Sequence, residues 1–170
     1  MTIKVGEHLP DGRLSEYVET EAGGCSIGPN HFQVADLVKG KRIVIFGLPG
    51  AYTPTCSAQH VPGFVANYDR LKAAGVDEIW CISVNDPHVL HAWEQSLNSA
   101  GKVRMMGDGN CDYTRKLGLE IDFTERNWGF RSRRYSMLVE DGAVKALNVE
   151  EPGQFEVSSA EAMLEILGNR

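Results

Sequence analysis

The apolar residues of this chain fall into short runs and periodic stripes separated by turn signals, and that rhythm predicts most of its elements. Arg42-Ile-Val-Ile-Phe46 is β-branched and apolar on both faces, which reads as a central strand buried on both sides. Glu78-Ile-Trp-Cys-Ile-Ser-Val84 repeats the pattern, and Val103-Arg-Met-Met106 gives a shorter third strand. Between the first two, Val61, Phe64, Val65, Tyr68 and Leu71 recur at helical spacing on a face that runs to Ala74 and stops at Gly75. Pro62 falls inside that face, so a kink or brief break is expected within a turn or two of Cys56. Asn85-Asp86-Pro87 starts a helix through Val89, Leu90, Trp93 and Leu97, and a short helix with Tyr113 and Leu117 closes at Gly118. Asp141-Gly142 joins Tyr135–Val139 to Val144–Val149 in a β-hairpin, and Ser158-Ser159 caps a last helix through Leu167. Elsewhere the pattern is weaker. Leu14, Tyr17 and Val18 suggest a strand or hairpin at the edge, residues 22–30 a Gly-rich loop, residues 33–38 one helical turn, and residues 120–132 a polar loop of mixed charge.

A βαβ unit followed by a helix, a hairpin and a terminal helix is the order of a thioredoxin-like α/β fold. Its central mixed sheet is flanked by helices on both faces, here with an N-terminal hairpin extension. Neither a linker nor a repeat interrupts the chain, so residues 1–170 are expected to form a single domain. With 23 Asp and Glu against 17 Lys and Arg, the chain is mildly acidic, which argues against general attraction to nucleic acid or anionic lipid. The amino terminus, MTIKVGEHLPDG, has no basic region followed by an apolar core, and no apolar run is long enough to cross a bilayer. A cytoplasmic protein is expected, or one whose organelle presequence has been removed. Such a fold by itself would not settle function.

The chemistry concentrates in one corner, LPGAYTPTCSAQHVPG, residues 48–63, directly after the first central strand. Cys56 falls in the first turn of the helix that follows. There, unpaired N–H groups and the positive end of the helix dipole favour an anion, and a thiolate is the anion a cysteine supplies. The other cysteines, Cys25, Cys81 and Cys111, form neither a Cys-x-x-Cys pair with it nor a cluster at zinc spacing, so no metal is expected. Cys81 lies mid-strand and reads as a small buried hydrophobe; Cys25 and Cys111 lie in loops. Thr53 alone would be an ordinary helix-cap threonine, but three residues before Cys56 it can place a hydroxyl beside the sulfur or its substrate. His60 lies four residues on, on the same helical side; it either lines the pocket or packs near Pro62, and is left out of the catalytic set. A guanidinium would stabilise the thiolate further, and Arg126, Arg131, Arg133 and Arg134 all precede the Tyr135 strand. Strand alternation puts Arg134 on one face with Ser136 and Leu138, and Arg133 on the other with Tyr135 and Met137.

Pro49, Thr53 and Cys56 in PGAYTPTC match the spacing Pro-x-x-x-Thr-x-x-Cys of the peroxiredoxins. The wider wording, FGLPGAYTPTCSAQHVPGF, then CISVNDP, then RRYSMLVEDGAVKALNVE, resembles the peroxiredoxin-5 subgroup, which includes the plant type II enzymes. The resemblance implies a thiol-dependent peroxidase that reduces hydrogen peroxide and alkyl hydroperoxides through a sulfenic acid on Cys56, with Thr53, Arg134 and Pro49 completing the site. Pro49 would shield the sulfenate from water. It selects Arg134 as the thiolate's partner and leaves Arg131 or Arg133 exposed. Some subgroup members carry a resolving cysteine near the carboxy-terminal helix, but Gly153-Gln-Phe-Glu-Val-Ser-Ser159 has none. No bound cofactor is then needed, and an external thiol, glutathione with glutaredoxin or thioredoxin, would recycle the enzyme. The subgroup also implies a homodimer.

Two other readings compete. A dithiol oxidoreductase is opposed by Thr53, which stands where the first cysteine of Cys-x-x-Cys would be. A redox sensor or holdase would use the same sulfenate as a signal.

Overall fold

Alternate side chains of the apolar runs point to opposite faces of one sheet, and each face has its own helical cover. The computed structural model describes residues 1–21 and 23–168. Seven strands, β1 (Arg13–Val18), β2 (Gly28–Gln33), β3 (Arg42–Gly47), β4 (Glu78–Ser83), β5 (Arg104–Gly107), β8 (Tyr135–Glu140) and β9 (Ala143–Val149), form one mixed sheet ordered β2-β1-β5-β4-β3-β8-β9. A separate antiparallel pair is made by β6 (Glu120–Phe123) and β7 (Gly129–Ser132). The central β3 runs parallel to β4 and antiparallel to β8, with Gly47 opposite Tyr135.

Val44, Phe46, Ile79, Cys81 and Leu138 share one face with α2 (Val61–Ala66), α3 (Tyr68–Ala73), α4 (Pro87–Leu97) and α6 (Ala160–Gly168). Ile43, Ile45, Trp80, Ile82, Tyr135 and Met137 share the other with α1 (Val34–Leu37) and α5 (Asp112–Leu117). Burying a side chain the size of Phe46 contributes about 2 kcal/mol, so these alternating rows fix the register of β3, β4 and β8. A one-residue slip would exchange the two faces.

Asp141 and Gly142 have φ values of 48° and 80°, as the β8–β9 hairpin turn requires. Asp86 caps α4 by accepting the N–H groups of His88 and Val89, with Pro87 in the first turn. The irregularity expected near Pro62 takes a definite form. Residues Cys56–His60 are wound as a π-helix in which the Val61 N–H reaches the Cys56 carbonyl; Pro62, with no N–H to give, follows in the first turn of α2. A second interruption at Asn67 separates α2 from α3.

Two expectations need correction. The end of the segment read as a Gly-rich loop belongs to β2, so β1 lies inside the sheet against β5 and β2 forms the edge. Gly28 and Pro29 hide that strand from propensity, and its pairing comes from β1, with Leu14 opposite Phe32. The polar loop at 120–132 folds instead into β6 and β7, whose four-residue strands are too short for a visible period and turn back through Asn127 at φ 62° and Gly129 at φ 69°.

Candidate active site

The corner after β3 is shaped by what its backbone can tolerate. A Cβ on Gly47 would lie 2.2 Å from Tyr135 Cε1, and one on Gly50, whose φ is 153°, would lie 2.3 Å from Arg131 Nη1. Arg131 comes this close because its Nη1 donates to the Pro49 carbonyl at 3.1 Å. From the other side, Asn85 Oδ1 accepts the Ala51 N–H at 3.0 Å and the Ser83 hydroxyl at 2.6 Å. Thr53 Oγ1 donates to the Gly50 carbonyl at 2.7 Å, which commits its one proton and leaves its lone pairs to accept. Helical backbone begins at Pro54, and Cys56 is its third residue.

The Cys56 sulfur is fully buried, packed in the cluster that holds Phe46, Leu48, Val61 and Phe64. Into this apolar surround the residue just ahead of β8 delivers one cation: Arg134 Nη2 donates to Cys56 Sγ at 3.3 Å. Arg134 Nη1 donates to His60 Nδ1 at 3.0 Å, and His60 Nε2 in turn donates to the Ser158 carbonyl at 3.0 Å. An arginine can only donate, so Nδ1 must be the bare nitrogen of a neutral imidazole. Burial, and then the neighbouring Arg134 charge, lower the His60 pKa to about 3, against the pull of its bond to Ser158.

The far end of this chain of bonds is held by Glu150. Its Oε2 accepts the N–H groups of Glu156, Val157 and Ser158 and the Ser158 hydroxyl, all at 2.7–2.9 Å. Burial alone would raise that carboxyl, but the Ser158 bonds and their neighbours outweigh it and hold it below the ordinary carboxylate range. Its own N–H donates to the Arg134 carbonyl at 2.9 Å, so the network closes on itself. Arg134, His60, Ser158 and Glu150 form one ring around the sulfur's donor.

All four cysteines are free thiols. Burial, with the nearby Cys56 charge, holds the Cys81 thiol well above its usual range despite Arg134. Burial and the adjacent Asp108 push Cys111 up to about 11. Neither forms thiolate readily. Among the described residues no group of three or more His, Cys, Asp or Glu could hold a metal ion, and no helix is long and apolar enough to cross a membrane.

Comparison with known proteins gives this corner its family. Residues 4–164 match the Redoxin family. Peroxiredoxin-2C of Oryza sativa subsp. japonica is 45% identical over 168 residues, covering 97% of this chain and 98% of its own length. The chain belongs to the peroxiredoxins. A crystal structure of reduced Prx3 in complex with hydrogen peroxide from Vibrio vulnificus superposes with a TM-score of 0.90 at 43% identity, covering 98% of this chain and 99% of that one. A Burkholderia cenocepacia protein described as a thioredoxin reductase is also similar, with a TM-score of 0.95, 55% identity and coverage of 97% and 98%. That description does not transfer, because Thr53 stands where a dithiol site needs its other cysteine.

Pro49, Thr53 and Arg134 line one cleft, and Arg134 also reaches the buried Cys56 sulfur. Arg131 and Arg133 are not the free surface groups expected. Both are half-buried, Arg131 on the Pro49 carbonyl and Arg133 Nη2 on the Glu150 carbonyl at 3.2 Å. His60, left out of the catalytic set because a thiolate needs no general base, is wholly buried and bonded to the arginine. Sequence reasoning took Asn85 only as part of a helix start and gave Glu150 no role. Asn85 had a signal, since it ends the CISVN run beside the corner, whereas nothing local marks Glu150 as the anchor of a loop six to eight residues on.

Proposed function

We infer that the enzyme is a thiol-dependent peroxidase of the antioxidant class, a reading that its family membership supports. We propose that Cys56 is its peroxidatic nucleophile, with Arg134, Thr53 and Pro49 as catalytic partners. The observation that carries this is the 3.3 Å bond from Arg134 Nη2 to Cys56 Sγ, where the sulfur is packed against an apolar cluster. The thiolate attacks the terminal hydroxyl oxygen of the peroxide, a sulfur–oxygen bond forms as the oxygen–oxygen bond breaks, and Cys56 is left as sulfenic acid. The departing oxygen carries negative charge, which the guanidinium stabilises and water then protonates. Thr53, its proton committed to Gly50, accepts from the peroxide hydroxyl and so orients it. Pro49 keeps water from the sulfenate.

The substrates are hydrogen peroxide and alkyl hydroperoxides, and the reductant is external: glutathione with glutaredoxin, or thioredoxin. What supports an external thiol is the sealed, poorly ionised state of Cys81 and the lack of cysteine in residues 153–159. One reductant thiol displaces the sulfenic oxygen as water to give a mixed disulfide, and a second releases Cys56. The working unit is a homodimer. The test is steady-state peroxide consumption with each reductant in turn. Efficient coupling to one is expected; coupling to neither, with rapid oxidation of Cys56 intact, would leave a sensor rather than a peroxidase cycle.

A further inference from the structure

The cleft lined by Thr53 and Arg134, whose guanidinium reaches the buried Cys56 sulfur, is larger and more cationic than hydrogen peroxide requires. It encloses about 330 Å³, roughly tenfold the ~30 Å³ that a water molecule occupies in the liquid and within the range of small-molecule pockets. One wall is apolar and comes from the two-stranded pair and its turn: Ile121, Phe123 and Trp128. Arg126 lies over the Phe123 ring at 4.7 Å and the Trp128 ring at 5.7 Å, and Arg133 and Arg134 face the same space. Among the described residues none of these three guanidinium groups has a carboxylate within ion-pair reach. Of the two acidic residues at the cleft, Glu150 has Oε2 committed to four donors, and Glu151 is exposed at the rim. Arg134 already has the Cys56 sulfur as its partner, but Arg126 and Arg133 have no carboxylate, and two such cations on a chain of net charge −6 are a local exception that asks for an anion.

We infer that this cleft selects hydroperoxides that carry a carboxylate on an apolar body. The body lies along Ile121, Phe123 and Trp128, Arg126 and Arg133 take the carboxylate, and the hydroperoxide end enters between Thr53 and Arg134, toward the sulfur that Arg134 contacts. The inference rests on the peroxidase reading and adds the substrate class. The electron balance is that of the parent step: sulfur is oxidised to sulfenic acid, the hydroperoxide is reduced to its alcohol, and the alkoxide takes its proton from water. A carboxylate-bearing thiol reductant has the same recognition chemistry, so the two half-reactions must be separated.

The experiment is single-turnover oxidation of the reduced protein, with no thiol added, by cumene hydroperoxide carrying a para-carboxylate and by the methyl ester of the same compound. The carboxylate should react about fivefold faster, the size of one partly exposed charge pair, and its lead should shrink as salt is raised. Arg126→Gln should remove most of that lead, and Arg133→Gln is the second variant. Equal rates for acid and ester, or a lead that persists in both variants, would overturn the inference. So would a charge preference seen only when preoxidised Cys56 is reduced by carboxylate-bearing thiols. Hydrogen peroxide on the wild-type protein separates the two claims: slow oxidation would defeat the peroxidase reading, whereas fast oxidation with no preference defeats only the substrate class.

Discussion

His60 Nδ1 lies 3.0 Å from Arg134 Nη1, and that bond decides where the arginine's other nitrogen points. A guanidinium is a rigid planar fork. Fixing Nη1 on a buried neutral imidazole leaves Nη2 aimed at Cys56 Sγ, 3.3 Å away. His60 has no proton to exchange with the sulfur in this arrangement and acts by holding its neighbour. His60→Leu should therefore slow single-turnover oxidation of Cys56 by hydrogen peroxide about tenfold, the rate equivalent of one hydrogen bond to a charged group. Activity loss should track the rate constant rather than a change in the number of titratable thiols. An unaltered rate would show that Arg134 is held by other contacts.

The same histidine gives stability a pH dependence. Its pKa is lowered from 6.5 to about 3 on folding, so the unfolded chain binds the proton first. Its contribution is fully present above pH 6.5 and is lost as the pH falls toward 3. Glu94, pushed up to about 7 by burial and then by Glu16 and Glu19, works in the opposite sense, losing stability as the pH rises from 4.5 to 7. The two are separated by comparison: the loss of stability on acidification below pH 6.5, followed by denaturant midpoint, should be steeper in the wild type than in His60→Leu.

Glu150 is the anchor of the ring. Truncation by Glu150→Ala removes the acceptor shared by four donors, three of them consecutive backbone N–H groups, and frees the segment that presents the Ser158 carbonyl to His60. The expected cost is about 3 kcal/mol, from an unsatisfied buried polar network. It should appear as a lower melting temperature together with a slower oxidation of Cys56. A stable variant with full rate would show that residues 156–158 hold their place without it.

How much of this was legible in the sequence depended on how local the information was. Pro49, Thr53 and Cys56 lie within one short stretch, and the chemistry of each residue type suits its place at a strand-to-helix corner. Arg134 sits one residue ahead of β8, and alternation put it with Leu138, which does lie on the Cys56 side, while Tyr135 and Met137 face the other core. Spacing placed His60 on the sulfur's side but could not say whether its ring nitrogen meets an arginine or only packs among Phe46, Phe64 and Phe155. Arg131 and Glu150 act across 82 and up to 8 residues through backbone groups, which no side-chain pattern encodes. The strands β2, β6 and β7 escaped for a related reason. Their pairing partners, not their own composition, make them strands.

Most direct of all is single-turnover oxidation by hydrogen peroxide in two cysteine variants, followed by stopped-flow fluorescence with mass analysis of the product. Cys81→Ser should be oxidised at close to the wild-type rate, because the Cys81 thiol is sealed and poorly ionised, and should carry a single added oxygen on Cys56. Cys56→Ser should consume no peroxide beyond the slow background of ordinary thiols, a loss of at least about a thousandfold if the site lowers the barrier by roughly 4 kcal/mol. Rapid oxidation of the Cys56→Ser protein at any other cysteine would contradict the account.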